Sequence, residues 1–327
     1  MPRAPLPTPG PVAAAPTAVP EGEDRAGTLR GAALMAGSMA CFAVEDAVIK
    51  AMGARIPAAQ IIWMLGLGGA AALGLWLAVR PGPVWPPEAR HPMVMLRTAF
   101  EVAAALCYVP ALVLIPLATA TAILQAAPLV VAGGAVLFLG VRVGWRRWAA
   151  IGAGFAGVLL ILRPGADFEP ATVLAVVGTV ALGGRDLVTR RAPPGLSSAR
   201  LSLVAYVALV PTAMLLQAAL GQPLVPPGAA DWGRLAVAVG IGLVGYVAVV
   251  AAMRVGDVAV VSSLRYARMV FALALAMLVF GERPDAPAMA GIAVIVGAGL
   301  YALAREARTR PGRRARRAAL PPGRPPR

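Results

Sequence analysis

The sequence predicts an all-α membrane protein of ten transmembrane helices arranged as two inverted five-helix repeats. Three observations predict it. Of the 327 residues, 59% are hydrophobic and only 14% charged, against about 25% charged in an ordinary soluble domain. The apolar residues gather in blocks of roughly 20, the length that crosses about 30 Å of hydrocarbon at about 1.5 Å per residue. Polar motifs also recur at nearly one offset. "FAVEDAVIK" (Phe42 to Lys50) aligns with "LGGRDLVTR" (Leu182 to Arg190) 140 residues on, setting Asp46 on Asp186 and Lys50 on Arg190. "AVLFLGVRV" (Ala135 to Val143) aligns with "AMLVFGERP" (Ala276 to Pro284) 141 residues on, setting Gly140 on Gly281. Copies of five spans, an odd number, lie in opposite orientation across the membrane, an architecture of secondary transporters whose substrate site sits near the midplane between the halves.

Residues 1–28, rich in Pro and Ala and lacking an apolar signal core, read as a disordered cytoplasmic tail rather than a cleaved signal. The first repeat (29–165) then holds spans at 29–53, 58–80, 92–115, 117–140 and 145–163. The second (166–306) holds spans at 169–191, 199–220, 232–254, 257–280 and 284–304. Segments rich in Pro and Gly separate them: "RPGPVWPPEARHP" after the second, "RPGADFEP" after the fifth, "APPGLSS" after the sixth and "GQPLVPPGAADW" after the seventh. The third and fourth spans meet at "VLIPLATA" with almost no loop. Pro128 is expected to bend the fourth and free a carbonyl beside Gln125. Residues 307–327 form a basic cytoplasmic tail.

The formal charge of +15 follows topology rather than a nucleic-acid interface. Nine arginines follow Ala304, and with both termini inside, nine arginines fall in inner loops against four in outer ones. That asymmetry orients a multi-pass protein of a bacterial inner (plasma) membrane, with the lipid bilayer as its partner. Cys41 and Cys107 make no disulfide framework, and the lone His91, in a loop before Pro92, has no neighbours for a metal site. No cofactor is implied. "GAGFAG" (Gly152 to Gly157) satisfies a dinucleotide-binding pattern, yet it lies within one apolar span rather than between a strand and a helix. Close helix packing accounts for it better.

Ionisable residues inside spans are costly, and mark functional positions. Asp46–Lys50, Arg97–Glu101 and Asp186–Arg190 are spaced i,i+4, so each can neutralise itself on one helix face. These six are expected to be structural or gating pairs, with Asp46–Lys50 toward the outer side and Asp186–Arg190 toward the inner. Glu45 has no base three or four residues on and needs another helix, a proton or a ligand; it aligns with Arg185, an acid set against a base. Arg265 and Arg268, flanking Tyr266, lack an acid on their own helix, and a guanidinium suits carboxylate or phosphate. Glu45, Arg185, Gln125, Arg265, Tyr266 and Arg268 are therefore the expected substrate-binding or coupling residues, and the substrate a small anionic or zwitterionic metabolite. No Cys, His or Ser constellation suggests an enzyme.

"PLATATAILQAAPLVVAGGAVLFLGVRVGWRRWAAIGAGFAGVLLILRPG" (Pro116 to Gly165) resembles the end of the first EamA domain of the drug/metabolite transporter superfamily. "SLRYARMVFALALAMLVFGERPDAPAMAGIAVIVGAGLYALARE" (Ser263 to Glu306) is similar to the end of the second. The resemblance runs over nearly all of residues 29–306. It implies ten helices in two inverted repeats, a central cavity and the movement of small metabolites across a cytoplasmic membrane. The acidic residue common after "LFLG" is Val141 in the first copy and Glu282 in the second. The expectation is a secondary active transporter working by alternating access as monomer or homodimer, with Glu45 a candidate for proton coupling. The alternative is a non-transporting sensor or assembly subunit.

Overall fold

Helix follows apolar block by apolar block. In the computed structural model, which describes residues 21–318 apart from 140–144, 163–168, 190, 192, 194–195, 256–260 and 262, the described residues are helical, with connecting turns and no strand. The helices are α1 (Glu21–Gly53), α2 (Ala58–Ala78), α3 (Pro92–Leu114), α4 (Leu117–Leu124), α5 (Ala127–Leu139) and α6 (Trp145–Leu162), then α7 (Ala171–Thr189), α8 (Ser198–Ala219), α9 (Ala229–Ala252), α10 (Ala267–Phe280) and α11 (Ala286–Ala318). Seven helical stretches are long and apolar enough to cross a membrane, the fourth running through α4 and α5; α6 and α11 carry shorter apolar stretches, Trp148–Leu162 and Ala286–Ala302.

Local chemistry sets the boundaries, with some departures from expectation. α1 starts at Glu21, ahead of residue 29. α11 continues to Ala318, past residue 306. His91 is the N-cap of α3, its Nδ1 accepting from Met93 N–H at 3.2 Å. Only Ile115 and Pro116 separate α3 from α4. The bend expected at Pro128 is a full break, since helix is lost at Gln125–Ala126 and α5 restarts at Ala127, with Pro128 in its first turn, where a missing N–H is harmless.

The packing pairs elements of one half with elements of the other. α1 lies along α9, α3 along α7, α2 along α8 and α6 along α11. Replacing each helix of residues 29–165 by its counterpart in 166–306 turns the first pairing into the second and leaves the last two unchanged. α1 also packs on α10, as α7 packs on α4 and α5. The starts of α1, α3 and α8 share one end with the finish of α2 and α9: Gly31 faces the carbonyls of Ala252 and Val255, Arg97 bonds Leu201 O at 2.9 Å, and Arg200 bonds the carbonyls of Pro81 and Pro83. We call this the near end, and the opposite one the far end.

The main core sits between these layers, around Met52, Ile61, Ile62, Leu112, Ile115, Leu117 and Ile123, all almost fully buried. Gly157 and Gly291 bring α6 and α11 together so closely that a Cβ on either would press on the other's carbonyl. Gly154 and Gly157 of the dinucleotide-like pattern are thus packing residues within α6.

Candidate functional site

The break in α4/α5 has a counterpart. Span nine is interrupted by a single 3-10 turn, Leu264–Tyr266, before α10 begins. At the 141-residue offset of spans four and nine this turn falls on Ile123–Gln125, so both copies lose α-helix at nearly the same place. The two breaks touch: Gln125 Nε2 donates to Arg265 O at 3.2 Å, a bond between positions one residue from equivalent. Gln125 is buried, and its amide meets a carbonyl that the 3-10 turn leaves outside regular helix. Arg265 directs its side chain to an exposed position. Tyr266 is buried against α11 at Gly299, where an added Cβ would collide with the phenol, and its hydroxyl has no hydrogen-bond partner among the described residues.

Arg268 follows this turn and reaches α1, where its Nη2 donates to Asp46 Oδ2. This corrects one expectation: Asp46 does not pair with Lys50. Arg268, which lacks an acid on its own helix, finds one on α1, 222 residues away in sequence. The i,i+4 spacing permitted a pair along α1, but Asp46 lies on the face of that helix turned toward the bundle interior, where Arg268 arrives. The guanidinium also lies over the Phe42 ring, 5.4 Å from its centroid. Tyr108 of α3 faces the same carboxylate, and its buried hydroxyl makes no hydrogen bond of good geometry.

Glu45, one residue before Asp46, has no hydrogen bond or ion pair among the described residues. Its carboxylate lies against α9 at Gly242, where a Cβ would stand 2.6 Å from Oε1. The backbone of α9 thus leaves the space that the acid occupies. Glu45 does not meet Arg185, the base it aligns with, because Arg185 bonds Glu101 and Asp186 instead.

Arg185 belongs to a row of alternating charges at the near end. Arg97 Nη2 meets Glu101 Oε2 at 2.9 Å, as its i,i+4 spacing suggested. Glu101 Oε1 accepts from Arg185 Nη1 at 2.9 Å, and Arg185 Nη2 donates to Asp186 Oδ1 at 2.7 Å. The row joins α3 to α7 and, through Arg97 and Leu201 O, to α8. Two bases and two acids cancel, which offsets the partial burial of the row; Asp186 at its end is 39% exposed. The expected Asp186–Arg190 pair lies outside the described residues, since Arg190 is among those left undescribed.

Lys50 serves the far end. Its Nζ donates to Leu112 O at 3.2 Å and Ile115 O at 2.6 Å, closing the last turn of α3. It also lies 3.6 Å from Glu282 Oε1. Glu282 accepts from the backbone N–H groups of Leu117 at 2.8 Å and Ala118 at 3.2 Å, capping α4, whose N-cap Pro116 offers no side-chain acceptor. One ion pair thus fastens the end of α3, the start of α4 and the turn after α10. Beside it, Gln60 exchanges two hydrogen bonds with the backbone of Val225, and Arg55 reaches buried Asp231 and the carbonyl of Pro226. These hold the 222–228 segment over α2. Among the described residues, no three His, Cys, Asp or Glu side chains gather as a metal site.

Known proteins resemble this chain along most of its length. The sequence profile of the EamA-like transporter family matches residues 29–163 and again 170–303. A pseudopaline exporter of Pseudomonas aeruginosa is 28% identical over 261 residues, 78% of this chain and 89% of the exporter. An S-adenosylmethionine uptake transporter of Rickettsia prowazekii is 26% identical over 191 residues, 58% of this chain and 64% of that transporter. A solved crystal structure shares the fold, with a TM-score of 0.53 at 22% identity over 87% of this chain and 98% of its own.

Proposed function

The chain belongs to the EamA-like transporter family, and from that premise we propose that it is a secondary active transporter moving a small zwitterionic metabolite across the bacterial inner membrane by alternating access. The observation that carries the reading is the pair of helix breaks, Gln125–Ala126 and Leu264–Tyr266, meeting through one hydrogen bond. Interrupted helices at matching positions of two halves supply free backbone groups for a substrate near the midplane. The exchange of packing partners between the halves supports ten spans in two inverted repeats.

The charges refine the substrate class. Arg268 is already met by Asp46, while Glu45 is unmatched, so the site favours a ligand bringing a cationic nitrogen to Glu45 along with its carboxylate. S-adenosylmethionine, named for the Rickettsia relative, carries both charges on its amino-acid portion. The Arg97–Glu101–Arg185–Asp186 row and the Lys50–Glu282 clamp stand at opposite ends, and we assign them as the near and far closures. Arg80, Arg90, Arg146, Arg191, Arg200 and Arg254 lie in near-end connections or first helical turns. Arg80 stacks on Trp76 and Arg146 on Trp145, an interfacial pattern that supports a cytoplasmic near end with both termini.

The test is flux. Purified protein in proteoliposomes is offered a labelled mixture of amino acids, carboxylates, nucleosides and S-adenosylmethionine, with and without a pH gradient, beside Glu45→Gln. Movement of a zwitterion that falls at least about 10-fold in Glu45→Gln, a loss of about 1.4 kcal/mol, supports the reading. Absence of flux for every component removes it in favour of a sensor or assembly subunit, and indifference to the pH gradient removes proton coupling.

A further inference from the structure

We propose that Arg268 is the anchor for the substrate's carboxylate and that Asp46 is its internal stand-in, displaced when substrate arrives and restored when it leaves. The inference rests on the transport reading above for what reaches the arginine. The exchange of one carboxylate for another rests on the geometry around the guanidinium.

The Asp46–Arg268 bridge is only partly shielded on the arginine side, with 5% of the Asp46 side chain and 16% of the Arg268 side chain exposed. A bridge built for stability at such a place would use the arginine fork fully, because a buried charge is held by satisfying all its hydrogen bonds. Here Nη2 alone reaches Asp46, and Nε is buried with no acceptor among the described residues. The Phe42 ring lies against the guanidinium. The neighbouring Glu45 carboxylate has no hydrogen bond or ion pair among the described residues, and the buried Tyr108 hydroxyl faces the Asp46 carboxylate. One unfilled guanidinium nitrogen, one unpaired acid and one phenol thus adjoin a single-point bridge.

A carboxylate taking both Nε and Nη2 of Arg268 would convert that single contact into a two-point one. Released Asp46 would then meet Tyr108 Oη as donor, and a substrate ammonium would meet Glu45 and Asp46 together. The arginine is neutralised before and after the exchange, so neither the empty nor the loaded protein carries an unmatched guanidinium across hydrocarbon. Asp46 is therefore a positioning residue for the empty state rather than a ligand of the substrate's carboxylate.

Chemical rescue tests this with formate as the probe. In the full-length Asp46→Ala protein in detergent, formate at about ten times its dissociation constant is expected to raise the melting midpoint by ~2–4 °C. Chloride at equal ionic strength should not do so, and the parent and Asp46→Ala/Arg268→Gln proteins should be unmoved by either. If formate and chloride act alike, or formate acts equally without Arg268, the proposal is overturned. Asp46→Asn, nearly unchanged in volume, carries the same arm if Asp46→Ala is not recovered folded. In proteoliposomes loaded with S-adenosylmethionine, Asp46→Asn should keep exchange across the membrane while losing at least about 10-fold in net uptake. Rescue without flux of any metabolite upholds the anchor and removes the transport reading, whereas flux without rescue does the reverse.

Discussion

Glu282 is the residue whose removal the structure makes most quantitative. Glu282→Ala deletes the acceptor for two backbone N–H groups at the start of α4 and the acid beside Lys50. Loss of a helix N-cap costs about 1 kcal/mol, with a range of about 0.5–2. A hydrogen bond to a charged group is worth about 1.5–3 kcal/mol. The ion pair, with side chains 14% and 12% exposed, lies between an exposed pair at about 0–1 kcal/mol and the 3–5 kcal/mol loss from breaking a buried one. One carboxylate makes all three interactions, so the terms overlap, and the expected loss is about 3 kcal/mol. Lys50 keeps the carbonyls of Leu112 and Ile115, which caps the damage. Unfolding in mixed micelles, followed by circular dichroism as the fraction of denaturing detergent rises, reads this directly. Glu282→Gln keeps an acceptor without the charge and should lose about half as much. Lys50→Met combined with Glu282→Ala should cost at least about 1 kcal/mol less than the two single changes summed. A Glu282→Ala protein within about 0.5 kcal/mol of the parent would sink the argument that this residue fastens three helices.

Gly242→Ala places a methyl 2.6 Å from Glu45 Oε1; because a flexible carboxylate end can yield, folding should lose under about 1 kcal/mol while flux in proteoliposomes falls several-fold, and unchanged flux would show that the seat of Glu45 does not matter. In the near-end row, Glu101→Gln leaves Arg97 and Arg185 without the acid between them, whereas Arg185→Gln leaves Arg97–Glu101 intact, so the melting midpoint should fall further for Glu101→Gln; the reverse order contradicts the assigned bonding. Gly281 ends α10 at φ +64°, and Gly281→Ala should cost about 1–2 kcal/mol in the same unfolding titration, with no loss expected if the turn simply re-forms.

The apolar blocks, the near absence of a loop between α3 and α4 and a distortion at Pro128 were legible in the sequence, because hydropathy and proline act locally; that the distortion interrupts the helix was not. Nor was the second break, since Leu264–Tyr266 contains neither Pro nor Gly. The ion pairs divide the same way. Arg97–Glu101 is a bond within one helix and could be read from spacing, while Asp46–Arg268 and Lys50–Glu282 join residues far apart in sequence. Spacing suggested Asp46–Lys50 because it registers only what one helix can offer itself. The departure at Val141 and Glu282 did carry a signal: the copy that keeps the acid is the one whose acid meets Lys50. Glu45 was identifiable as an acid without a base on its own helix, but its seat at Gly242 depends on how closely α9 approaches.

The bond from Gln125 to the carbonyl of Arg265 joins positions one residue from equivalent. On the proposed alternating-access reading, a link of that kind sits beside the line that exchanges two inverted copies, the one place that stays still when they tilt against each other. On that reading the amide and the carbonyl act as a fulcrum. A molecule held beside them would be uncovered first on one side and then on the other with almost no travel of its own, while the helix ends farthest from this point sweep the largest arcs.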